Sequence, residues 1–237
     1  MNGMATPGEL IKAVAKATGT SEPTVTQHDR NLFLAGLRTK GGRGTSAAKV
    51  TARDAAHLLT SILGSDQVKD SAETVQRYSD SVEHHNRMFK AHPKETPKGW
   101  TSIYGPVGLP ALDSLPEDHS FIDALAVLIG LSMDETYDEI IGREPLSCQI
   151  IVGWPRTSAR IYLSPDWRGE GKTPGGAQAI YQRYQYPGGR RAKPPKERDG
   201  PIERSAQIYA TPIRYIGALL GDRLDKVSLS PKLAGTW

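Results

Sequence analysis

The sequence predicts an α+β protein: a helical N-terminal unit followed by a small α+β domain with a β-hairpin and flanking helices. Three observations carry this. Apolar residues recur at helical spacing between residues 7 and 63, bounded by recognisable caps. After residue 148 the pattern changes to runs of β-branched and apolar residues around a Pro-containing turn. Between them lies a polar and then Pro-rich stretch, with Pro93, Pro97, Pro106, Pro110 and Pro116. The expected division is 1–64, a connector over 65–118, and 119–237. A chain of 237 residues suffices for one large domain or two small ones.

The elements follow in order. In residues 7–19, Leu10, Ile11, Val14, Ala15 and Thr18 share one face. Pro7 suits a first turn, and Gly19 suits a left-handed C-cap. Ser21 caps a second helix over 21–35, which Gly36 stops. Residues 38–50 form a basic loop carrying Gly41, Gly42 and Gly44. Thr51-Ala-Arg-Asp54 is a capping box that opens a third helix. Its apolar face is Ala55, Leu58, Leu59, Ile62 and Leu63, and Gly64 ends it. Residues 65–92 are polar, with Val68, Val75, Tyr78 and Val82 at loose helical spacing. The Pro-rich stretch over 93–118 reads as an extended linker.

Ser120-x-x-Asp123 opens an almost wholly apolar helix to Leu131, and Ser132 with Glu135 caps another to Ile141. Cys148–Val152 and Ala159–Leu163 make the hairpin. Ala179–Tyr186 and Ile202–Tyr209 are a third and a fourth strand. Pro212 starts the last helix.

Composition excludes several classes. No apolar run approaches the ~18 residues of a membrane span, mean hydropathy is −0.46, and residues 1–25 lack the apolar segment of a secretory signal. A single cysteine, Cys148, excludes an intramolecular disulfide framework and a Cys-rich zinc site. A cytoplasmic, reducing compartment is the expectation. The net charge of +4 points to no partner by itself. Its distribution is more telling. Arg38, Lys40, Arg43, Lys49 and Arg53 are interrupted by no acid. The stretch from Asp113 to Glu144 is strongly acidic, and Arg183 to Arg198 is basic again. Such segregation suggests faces with different tasks.

One constellation carries a functional expectation. Two short helices that cross need a small residue at the contact, a residue that accepts the turn, and apolar pins. Ala15, Gly19, and the pair Val14 and Val25 supply them. The stretch Glu9–Arg30, ELIKAVAKATGTSEPTVTQHDR, resembles the helix-turn-helix DNA-binding regulators of bacteria and phage. The resemblance implies a transcriptional regulator that is not an enzyme, binds double-stranded DNA, and pairs as a homodimer to reach two half-sites. It also implies that helix 21–35 enters the major groove, with Glu22, Pro23, Thr26, Gln27 and Arg30 outward. Gln27 matches adenine, and Arg30 matches guanine or phosphate. Ser21 and Thr24 would bond phosphates, and Arg38, Lys40, Arg43 and Lys49 would hold the backbone from the adjoining loop. His28 departs from the family pattern, standing where an aliphatic core residue is usual. A rotated helix, with Leu32 and Phe33 packed instead, would give the role of Gln27 to Thr26 or Asp29.

The chain contains its own control. Ala126 to Ser132 repeats the Ala15-to-Ser21 spacing, but Asp134, Glu135, Asp138 and Glu139 follow, and carboxylates repel phosphate. Gly171-Lys172-Thr173 lacks both the earlier glycine and the following helix of a phosphate loop. His84, His85 and His92 have no second cluster to complete a metal site, so neither metal nor cofactor is expected. Cys148 falls on a buried strand, where thiols are inert. Tyr184 and Tyr186 interleave the second basic stretch, which reads first as a strand followed by a solvated loop and second as an auxiliary nucleic-acid contact. The alternative function is a phage-type packaging or structural protein that holds DNA and multimerises through its C-terminal part.

Overall fold

The computed structural model describes residues 5–40, 49–91, 100–103, 109–116, 118–141, 148–155, 157–163, 178–185 and 204–229. Helix α1 spans Pro7–Thr18 and α2 spans Glu22–Leu34. Thr6 and Glu9 form a capping box on α1, and Gly19 ends it at φ 70°, a left-handed turn that glycine makes without a Cβ clash. Ser21 caps α2 by accepting from the Thr24 amide. Helix α3 spans Ala52–Gly64, with the expected Thr51–Asp54 box.

α3 is not a surface helix with one apolar face. Ten of its thirteen residues are buried, including Ala56, His57, Thr60 and Ser61 on the side opposite the expected stripe. A helix buried nearly all round lies at the centre of a core. Accordingly α3 packs on α2, on α4 (Ser71–Ser79) and on α6 (Phe121–Leu131), and it also touches the strands Cys148–Trp154 (β3) and Arg204–Tyr209 (β6) of the sheet. The last helix, α8 (Ala210–Leu220), covers α1. One apolar cluster therefore runs from Ala5 and Leu10 through Leu58, Val75 and Leu125 to Ile216 and Leu220. The core does not divide at residue 64 or at residue 118.

The polar part of the connector is helical, as its spacing predicts, as far as Ser79, but not beyond it. A 3-10 turn over Val68–Asp70 leads into α4, whose Val75 and Tyr78 are buried. Residues 82–91 do not continue the helical spacing but form strand β1 (Val82–Ala91), which pairs with β2 (Trp100–Ile103). Leu109 and Leu112, at the short helix α5 (Pro110–Asp113), are core residues rather than linker. Pairing across a sheet is a long-range property, which a polar segment does not announce locally.

The remaining strands are β3 (Cys148–Trp154), β4 (Ser158–Leu163), β5 (Gln178–Gln185) and β6 (Arg204–Tyr209). All six lie antiparallel in the order β2-β1-β5-β4-β3-β6. In the hairpin, Cys148 faces Leu163, Ile150 faces Ile161 and Val152 faces Ala159; all six side chains are buried. Their alternation puts one face of the sheet against the helices. Tyr78, Phe121 and Tyr184 join the layers edge to face, with centroids 5.7 Å apart in both pairs. Helix α7 (Thr136–Ile140) starts later than expected. Ser132 does not cap it, because its hydroxyl donates back to Leu128 O at 3.1 Å. Among the described residues no helix is long and apolar enough to cross a membrane.

Candidate nucleic-acid interface

α1 and α2 meet through a three-residue turn, Gly19 to Ser21. Val14 and Val25 are fully buried at the crossing, and Ala15 is partly buried against it. The rotation of α2 is set by its inner face: Val25, His28, Asp29 and Leu32 are buried. Glu22, Pro23, Thr26, Gln27 and Arg30 are all exposed. Asp29, the alternative base reader, faces inward, and Thr26 and Gln27 face outward together. Leu32 packs as the rotated register required, but Phe33 does not; it is 38% exposed, and Leu34 beyond it is 71% exposed.

The reason His28 tolerates a core position lies forty-three residues away. Ser71 Oγ donates to Val68 O, so its remaining bond, 2.8 Å to His28 Nδ1, is accepted from the ring. Asn31 fastens the same turn to α2, its Nδ2 donating to Val68 O at 2.8 Å while its Oδ1 accepts from Gln27 Nε2 at 3.2 Å. Gln27, the residue expected to read adenine, is thus oriented along the helix by Asn31. Lys69 stands exposed on that turn. Neither Asn31 nor Lys69 was expected from the sequence; the i, i+4 spacing of Gln27 and Asn31 was the one available signal.

Burial pushes the His28 pKa down to about 4 from an ordinary 6.5. The folded protein keeps this ring neutral where the unfolded chain binds a proton. Its contribution is therefore complete above about pH 6.5 and drains away as pH falls toward 4. After allowance for solvent screening this amounts to about 1–2 kcal/mol. The check is urea unfolding at pH 7 and pH 4.5 for the wild type and for His28→Gln. The wild type should lose more stability between the two, by that margin; equal losses would mean that His28 is not held neutral.

The other expected contacts divide. Ser21 Oγ and Thr24 Oγ1 lie 2.7 Å apart at the exposed head of α2, and Thr26 Oγ1 donates to Glu22 O. Lys40 and Lys49 are exposed. Arg43 lies outside the described residues. Arg38 is not a free cation: its Nε stands 3.1 Å from Asp29 Oδ1, with both side chains largely buried, and its guanidinium stacks on Phe33 at 4.7 Å. Burial nevertheless raises the Asp29 pKa, with Arg38 opposing and Asp54 adding to the rise. Arg53 pairs with Asp123 at 2.6 Å. The acidic segment is thus partly neutralised from within: Asp123 by Arg53, Asp138 by Arg214, and Glu135 by Arg223 and Lys226.

The basic segment is held at its base by one carboxylate. Asp54 Oδ1 accepts from the Thr39 amide at 2.7 Å. Its Oδ2 accepts from the Thr39 hydroxyl, the Thr51 amide and the Thr51 hydroxyl, each at 2.8 Å. His57 Nδ1–H donates to Leu37 O at 2.6 Å just before it. The two ends of the stretch that contains Lys40 and Lys49 are therefore drawn to the head of α3.

No protein-family model, curated protein or solved structure matches this chain.

The remaining expectations resolve as follows. Cys148 is fully buried, and loss of hydration drives its thiol pKa up to about 12. Tyr184 is buried and accepts a place in the core, its hydroxyl donating to His119 Nε2 at 2.9 Å, so it offers no stacking face. Tyr186 and Gly171 to Thr173 lie outside the described residues. Of the three histidines weighed as metal ligands, His84 and His85 stand on β1 and His92 lies outside the described residues.

Proposed function

We propose that this chain binds double-stranded DNA as a helix-turn-helix regulator, acting by occupancy rather than catalysis. The observation that carries the reading is the outer stripe of α2. Thr26, Gln27 and Arg30 are exposed together, while Val25, His28, Asp29 and Leu32 fix the opposite face in the core. Exposed polar groups on a rigidly docked helix suit base edges, since a reader must be held to within fractions of an ångström. Lys40 and Lys49 support it from the segment that Asp54 anchors, where phosphate is the natural partner. Arg38 acts inside this unit, on Asp29 and Phe33, and not on phosphate. Two copies on half-sites about 34 Å apart is the expected stoichiometry.

The test is selection of a site from a random duplex pool with the full chain, followed by titrations at several salt concentrations. Gln27→Ala or Arg30→Ala should cost about 1–3 kcal/mol at one base position and relax preference there. Lys40→Ala should weaken all sequences alike and reduce the salt slope by about one unit. A folded full chain that retains no duplex at low salt would sink the reading.

A further inference from the structure

A cleft of about 380 Å³ lies beside the end of α8, lined by Glu135, Asp138, Arg214, Arg223, Lys226 and Val227. Its charges fall into two groups. Arg214 grips Asp138 with two parallel bonds, Nε to Oδ1 and Nη2 to Oδ2, the second at 2.9 Å. Both side chains are largely buried, which makes this a closed pair. Arg223 and Lys226 instead converge on a single oxygen, Glu135 Oε1, with Lys226 Nζ at 3.3 Å. Arg223 also lies close enough to Asp134 to help lower that carboxyl's pKa, but both cations spend their hydrogen bonds on Glu135 Oε1. Glu135 and Lys226 are 45% and 57% exposed, so solutes reach them.

The backbone supplies an independent observation. Among the described residues only Glu135 and Asp222 are non-glycines at positive φ, at 75° and 57°. Glu135 lines the cleft, and Asp222 directly precedes Arg223. At Asp222 the left-handed backbone simply closes α8, with the Arg223 amide bonded to Ala218 O; Glu135 is the residue that needs its surroundings to hold it. Here the imposition is visible. A Cβ at Gly221 would stand 2.0 Å from Met133 O, and one at Gly217 would stand 2.3 Å from Ser132 Cβ. The bare backbone at Gly217, and at Gly221 just past α8, thus receives the 129–133 segment, which leads on to Glu135 beside Arg223. Lys226 and Arg223 hold the Glu135 carboxyl below the ordinary carboxylate range.

We propose that this cleft binds a small phosphate-bearing solute, its anion seated against Arg223 and Lys226 in the place Glu135 Oε1 now occupies. Glu135 is then an internal stand-in for the ligand. A guanidinium presents a planar fork of donors that matches phosphate oxygens, with the ammonium as a second point charge. The closed Arg214–Asp138 pair forms a wall, and the volume accommodates an organic body as well as the anion.

The experiment is calorimetric titration of the full chain with inorganic phosphate and with glycerol phosphate, at constant ionic strength in chloride. A parallel titration uses a short DNA duplex. Saturable binding of either phosphate solute is expected. Arg223→Ala should weaken it about tenfold or more, and so should Lys226→Ala, a substitution at an exposed position that spares the fold. Glu135→Gln removes the competing charge and should tighten binding severalfold. A purely structural ion pair would not produce that gain. Failure of both phosphate solutes to saturate would overturn the proposal, as would unchanged or weaker binding by Glu135→Gln. Binding of the duplex alone, weakened by Lys226→Ala, would also overturn it, because the cations would then serve a nucleic-acid backbone.

Discussion

A fragment ending at residue 64 is expected to be unfolded, although it contains α1, α2 and α3 complete with their caps. In circular dichroism it should show little helix and no cooperative melting, whereas the full chain should unfold in one transition. The reason is the position of α3. Its buried set includes Leu58, Leu59 and Leu63 together with Ala55, Ala56, Thr60 and Ser61. Partners for this surface come from α4, α6, β3 and β6, and α1 has its own cover in α8. Burying one leucine is worth about 1.5–3 kcal/mol. Uncovering several approaches the 5–15 kcal/mol that stabilises a whole domain. Three short helices do not replace that from local propensity alone. A fragment that melts cooperatively with native-like helix content would show that the 1–64 unit holds a core of its own. Duplex binding must for the same reason be measured on the full chain.

What was legible in the sequence follows from the range of the interaction. Caps act within four residues, and the boxes at Thr51–Asp54 and Ser120–Asp123 and the left-handed Gly19 stand where their residue types place them. The hairpin is equally local, and its buried alternation at Cys148, Ile150 and Val152 is written in the residue pattern. Long-range partners were not legible. Thr60 and Ser61 look like the polar side of an amphipathic helix, yet both are fully buried, on a helix that meets α2, α4, α6 and the sheet. His28 looks like a fault in a helix-turn-helix core until Ser71 arrives beside it.

The same limit governs the candidate interface. Arg38 belongs to an acid-free run, but Asp29, nine residues earlier and on the inner face of α2, claims it. Arg53 is claimed from seventy residues away by Asp123. A charge run in sequence is thus only an upper bound on the charge a partner meets. Arg30, Lys40 and Lys49 are exposed beside α2, Lys40 over the Phe33 ring and Lys49 acting on Glu9, and the DNA reading rests on them.

Asp54→Ala should be the most damaging single substitution near that surface. One buried carboxylate accepts two amides and two hydroxyls, from Thr39 on one side and Thr51 on the other. Hydrogen bonds to a charged group contribute about 1.5–3 kcal/mol each where they are not replaced by water. With partial rescue by solvent, a total loss of about 3 kcal/mol is expected in urea unfolding. Thr51→Ala removes one hydroxyl from the cap and should cost about 1 kcal/mol. Asp54→Asn keeps the shape but turns one acceptor into a donor, which faces the Thr39 amide when the oxygen keeps the Oδ2 position, so it should fall between the two. The ordering Ala, then Asn, then the Thr51 variant is the checkable outcome, and an Asp54→Ala loss no larger than that of Thr51→Ala would remove Asp54 from its place at the hub. The substitution also carries a signature that stability alone does not. Thr39 adjoins Lys40, so once Asp54 is gone the basic segment is no longer tied to the head of α3. If that tie positions the segment on phosphate, duplex affinity of the folded variant should fall equally for selected and scrambled sites. Loss confined to the selected site would instead mean that Asp54 acts through α2, where its charge repels Asp29 and so bears on the Asp29–Arg38 pair.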